Sequence, residues 1–255
     1  MQEVYNSKPI FAAIEILIAI FFYYLISWQL ITHFLNPTTI QIVFLWIGIF
    51  SFAFYILFIS AKIHNESLEA RGLGKVKHLF LRTDNFLDSA KSYLTISFLI
   101  LTVLLIMTYI KFNSLEFKVD YISIPIKLFF YFFSAFAQDV IFFSFLLLRI
   151  YYVVNYFSPN YTKILTLLIF ASFFSLFHYP NLPLCILSFF FSFILGFIFF
   201  ERRNLFWVVL IHAFVGTYLH RIYQLHMKIG ILYESEESFY RKIVPGVEYL
   251  IGNAW

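Results

Sequence analysis

The sequence predicts an all-α protein, a polytopic transmembrane helix bundle of about seven spans, on three observations. First, the 255 residues are 62% hydrophobic and only 13% charged, with 37 Phe and 18 Tyr, too few charges to coat a soluble globule of this size. Second, apolar runs of about 18–25 residues recur, each long enough to cross a bilayer as helix. Third, these runs are continuous and lack period-two alternation. Backbone amides in hydrocarbon must pair internally, so a helix bundle remains and a closed barrel is excluded.

The spans follow in order. The first is expected at Ile10–Ile31 and the second at Ile40–Ile59, with a turn at Asn36-Pro37 between them. The first run is too long for a signal peptide, contains Glu15 and is followed by no small-residue cleavage site, so it reads as a retained helix. The third span is Ser92–Ile110. The fourth, Ile122–Val154, exceeds one membrane thickness and has to tilt, bend or protrude. The fifth is Tyr161–His178, ended by Pro180 and Pro183, which cannot continue a helix. The sixth is Leu184–Phe200, closed by Glu201-Arg202-Arg203-Asn204, and the seventh is Leu205–Tyr218.

Three regions result: residues 1–120 with N-terminal transmembrane helices and a basic loop, 121–225 with the core helices, and a C-terminal tail at 226–255. The tail is amphipathic but broken by Pro245-Gly246, and is expected to rest in the interface. The loop Lys62–Lys91 carries Lys62, Arg71, Lys75, Lys77, Arg82 and Lys91, which places it and the N-terminus in the cytoplasm. Within it, Leu68–Arg82 mixes basic and apolar residues and is expected along the membrane surface, its two glycines interrupting any continuous helix. The net charge of +4 sits mostly in loops, where it suits anionic headgroups rather than nucleic acid. The single cysteine, Cys185, excludes an internal disulfide and a cysteine-based zinc site.

Three pieces put polar groups among Phe, Leu, Ile and Val: Gln138-Asp139, Phe174-Ser-Leu-Phe-His178 and His212-Ala-Phe-Val-Gly216. Such groups are costly in lipid, so the default reading is a functional site between helices. The simpler readings are that Gln138 bridges helices through its amide, that Gly216 marks a close helix contact, and that His178 anchors a helix end. Glu15 is expected to satisfy a neighbouring helix, and His220 and His226 to be solvated at the membrane edge. On these boundaries Gln138 and His212 fall near mid-membrane while His178 falls at the end of its helix, so one site requires a shifted helix or a funnel-shaped cavity.

Order and spacing of the three pieces resemble the CPBP family, the CAAX proteases and bacteriocin-processing enzymes, which are polytopic intramembrane endopeptidases. That family carries Glu-Glu-x-x-x-Arg, then Phe-x-x-x-His, then His-x-x-x-Asn. Phe174–His178 fits the second motif in full, and His212 fits the start of the third after the apolar lead-in from Leu205. The first motif is degenerate: Gln138-Asp139 stands for Glu-Glu and Phe143 for Arg. In the third, Gly216 stands for Asn.

The resemblance implies an endopeptidase-like protein that hydrolyses or binds a membrane-embedded or lipidated peptide among membrane lipids. In the family the first Glu and the His of the next motif activate water, and the last His with its Asn stabilises the oxyanion. An amide such as Gln138 cannot take up that proton, and general-base catalysis is typically worth ~10²–10⁴-fold. Two arrangements would restore chemistry. In one, Asp139 orients His178 as base while Gln138 and His212 donate to the oxyanion. In the other, which adds a cofactor where none is otherwise expected, Asp139, His178 and His212 hold a divalent metal. The alternative is a catalytically silent relative acting as a peptide-binding, immunity or maturation factor. A transporter is disfavoured by the scarcity of intramembrane acids and the absence of a repeat.

Overall fold

A computed structural model describes residues 8–24, 47, 51–74, 82–113, 122–225 and 227. Among these the fold is all-helical, with seven helices: α1 (Pro9–Tyr24), α2 (Ser51–Ile63), α3 (Phe86–Phe112), α4 (Ser123–Phe157), α5 (Thr162–Leu176), α6 (Leu182–Arg202) and α7 (Leu205–Arg221). Helices α3, α4 and α6 are long and apolar enough to cross a membrane. The remainder of the first two predicted spans, His226 and the tail beyond 227 lie outside the described residues.

The helix ends have local causes. Asn181 caps α6 by accepting the Leu184 N–H at 3.2 Å, with Pro183 in the first turn. Arg203 ends α6 and Asn113 ends α3, both in the left-handed region, at φ 47° and 51°. Helix α4 is one continuous 35-residue helix. Its turns widen to π geometry over Val140–Leu146, immediately after Gln138-Asp139, and helices α5 and α7 pack beside it.

Helices α5 and α6 form an antiparallel hairpin, and α7 packs along the first half of α4 while α1 packs along its second half. The apolar core between them is built on Phe143, Phe145, Phe170, Phe174 and Phe199. Phe143, the residue at the motif's Arg position, is fully buried, with ring centroids 5.0 Å from Phe170 and 5.8 Å from Phe199. Aromatic packing therefore fills the place where the resembled motif would have a cation.

A second, polar core lies between α1, α2, the following loop and α4. Glu15 accepts from Tyr55 Oη (2.7 Å), Arg149 Nε (2.5 Å) and His64 Nε2 (3.0 Å). Glu66 accepts from Arg149 Nη1 (2.7 Å), Arg71 Nε (2.7 Å) and Tyr152 Oη (2.5 Å). Ser60 Oγ accepts from Arg149 Nη2 at 2.7 Å, and Arg71 also donates to the Ile56 carbonyl within the π segment of α2. Two carboxylates face two guanidiniums, all buried, so the cluster is close to neutral as a unit.

Three expectations are corrected here. Arg71, counted among the loop charges that set orientation, is fully buried in this cluster beside Arg149. The described part of the surface-lying segment, 68–74, packs into the bundle: Leu73 is fully buried, and Gly72, at φ +77°, lies so close to the Phe199 ring that a Cβ would stand 2.5 Å from it. Where the chain tucks inward, Arg71 reaches Glu66 and the Ile56 carbonyl. His220, expected to be solvated, is buried on α7.

The same loop is tied to the α6–α7 turn. Leu205 N–H donates to the Gly72 carbonyl (2.8 Å), Arg82 to the Arg203 carbonyl (2.8 Å), and Asn204 to the Arg82 carbonyl (3.1 Å). This clamp sets where α7 begins and therefore how far along it His212 sits.

Candidate active site

On α4, Tyr131, Ala135 and Asp139 recur every four residues and share one face. On α7, His212 and Gly216 do the same. The two helices meet along these faces in opposite directions: Asp139 Oδ1 lies 2.9 Å from His212 Nδ1, and the Tyr131 ring lies against Gly216. Asp139 is wholly buried, and its other oxygen, Oδ2, has no hydrogen-bond partner among the described residues. Asp139 therefore pairs with His212, not with His178.

His178 lies just past the end of α5, in the turn 177–180. That turn is held by the Asn181 N–H donating to the His178 carbonyl (3.0 Å) and by Ser175 Oγ donating to the Cys185 carbonyl (2.7 Å). The His178 ring folds back along the helix, Nδ1 lying 2.8 Å from the Phe174 carbonyl. A carbonyl only accepts, so Nδ1 carries the proton and Nε2 is left with its lone pair.

Both imidazoles line one cavity of about 190 Å³, walled mainly by aliphatic and aromatic side chains of α3, α6 and α7. The phenyl ring of Phe174 packs against both, 5.4 Å from His178 and 6.0 Å from His212 by ring centroids. The helix-end position of His178 is thus reconciled with the deeper position of His212 by a cavity that extends from one to the other. The second and third sequence pieces converge on it, and Asp139 of the first reaches it through His212.

Gln138 does not line this cavity. Its amide donates to Ser134 Oγ one turn back on α4 (3.1 Å), because it is rotated about 100° from Asp139. Among the described residues no group of three His, Cys, Asp or Glu side chains is placed to hold a metal ion. His212 Nδ1 faces Asp139 and His178 Nδ1 faces the Phe174 carbonyl.

Tyr131 was missed in the sequence. It lines the cavity, its ring meeting His212 edge-on at 5.9 Å. The available signal was helical spacing, since Tyr131 stands two four-residue steps before Asp139 and is the one polar aromatic on that face. Glu66, the partner of two buried arginines, was also missed; Arg149 within an apolar run called for such a counterion.

The fold defines a class, an all-helical bundle with three helices long and apolar enough to cross a membrane. Residues 121–218 match the family described as Type II CAAX prenyl endopeptidase Rce1-like, and the matched stretch contains all three sequence pieces. The match is consistent with the resemblance to the CPBP family. No curated protein and no solved structure matches the chain.

Proposed function

We propose that this chain is an intramembrane endopeptidase that cleaves a lipidated peptide, with His178 as general base and the Asp139–His212 pair as the oxyanion-stabilising group. The observation that carries the reading is the presence of two imidazoles on one apolar cavity, one with Nε2 left as a lone pair, the other backed by a buried carboxylate. A water beside His178 gives its proton to Nε2 as its oxygen attacks the peptide carbonyl. His212, hydrogen-bonded to Asp139 through Nδ1, donates Nε2–H to the oxygen that gains charge. His178 then returns the proton to the departing amine, and the C–N bond breaks. The mostly apolar wall of the cavity suits a prenyl or acyl chain, which would position the scissile bond.

The test is cleavage of a farnesylated peptide by the purified chain in lipid nanodiscs. His178→Ala is expected to lower kcat/KM by at least ~10²-fold, with cleavage by the unmodified chain insensitive to chelators. Undiminished cleavage by His178→Ala, or loss of cleavage on chelation, would overturn this assignment.

A further inference from the structure

Gly216 and Tyr131 occupy a single volume between them. A Cβ built on Gly216 would stand 2.1 Å from Tyr131 Cε1 and 2.8 Å from its hydroxyl oxygen, far inside van der Waals contact. The phenol therefore occupies the place where a side chain at 216 would begin, one helical turn beyond His212. Both residues line the cavity, and the Tyr131 ring rests edge-on against the His212 imidazole at 5.9 Å. A phenol O–H is a neutral donor that needs no change of protonation to act, and it is carried here on the same face of α4 as Asp139.

We infer that the Tyr131 hydroxyl is a second donor to the carbonyl oxygen of the bound peptide, delivered from α4 into space that Gly216 leaves open beside His212. The inference rests on the peptide-binding cavity proposed above. On this arrangement the oxyanion meets two donors from different helices, the Nε2–H of His212 and the phenol of Tyr131. The absence of a side chain at 216 is then a condition for the second donor to be present. Tyr131→Phe removes only the hydroxyl and keeps the ring that packs on Gly216 and His212, so the variant tests the donor and not the packing.

The experiment measures binding to the full chain in nanodiscs of two probes: a farnesylated peptidyl ketone, and the same compound with a methylene in place of the ketone carbonyl. Tyr131→Phe is expected to weaken the ketone about 5–10-fold, the worth of one neutral hydrogen bond, and to leave the methylene compound unchanged. For a farnesylated peptide substrate the same variant lowers kcat while KM stays within twofold. Equal loss for both probes, or no loss for either, overturns the role of Tyr131 and leaves the cavity assignment intact. Failure of the unmodified chain to bind either probe overturns both.

Discussion

Gly216 shows how a residue without a side chain can be under a stringent requirement. The Tyr131 ring fills the position of its absent Cβ, so Gly216→Ala must push the phenol out of place or separate α4 from α7. Overpacking of this kind costs about 1–3 kcal/mol, and a lowered thermal midpoint in detergent would report it. In a Tyr131→Ala background the added methyl has room, so the two substitutions are expected to be strongly non-additive, by more than ~0.5 kcal/mol. Additive losses would mean that the two side chains do not share that volume. His212 and Asp139 illustrate the opposite case: each polar group is costly alone in an apolar interior, and their 2.9 Å contact satisfies part of both. Gln138 sits beside Asp139 in sequence but turns to Ser134, because adjacent positions on a helix face different neighbours.

Helix α4 connects two polar systems that are separated along its length. Its first half presents Asp139 to α7, and its second half presents Arg149 and Tyr152 to Glu15 and Glu66. The π-widened turns lie between them, where Ser144 Oγ also donates to the Arg71 carbonyl at 2.7 Å. Arg149 ties α1, α2 and the loop to α4 through Glu15, Ser60 and Glu66, so its loss leaves two buried carboxylates short of a cation. Arg149→Ala is expected to destabilise the bundle by about 3–5 kcal/mol. Lys163 supplies the contrast: its 2.9 Å pair with Glu201 is solvent-exposed at both ends, and Lys163→Ala should cost at most ~1 kcal/mol. Chemical or thermal unfolding of both variants checks the prediction, and similar losses would sink the idea that burial makes the difference.

For the molecule as a whole, the buried ionic cluster sets a dependence on pH. Burial by itself would raise the Glu66 carboxyl, but the guanidiniums of Arg149 and Arg71 and the hydroxyl of Tyr152 outweigh it and hold that carboxyl below the usual carboxylate range. A carboxyl with a folded-state value below its unfolded one stabilises the fold fully above about pH 4.3, and that stabilisation is lost as pH falls through the folded value. The thermal midpoint is therefore expected to fall on the acid side, and Glu66→Gln, less stable at neutral pH, should show a flatter acid limb. An unchanged acid limb in that variant would remove Glu66 from the account.

The all-helical membrane class, the order of the helices and the two histidines were legible in the chain. Those properties follow from composition, run length and spacing, which act locally. Glu15 could be recognised as needing a partner, but Glu66 and Arg71, one short loop away from α2, could not be distinguished from solvated loop charges. Asp139 could be singled out, while its choice of His212 over His178 could not. Which face of α4 meets which face of α7 depends on the rotation and depth of helices 73 residues apart at that contact. Burial against one another, not local propensity, sets both, so only the packed bundle decides which polar groups become partners and which side chain fills the space at Gly216.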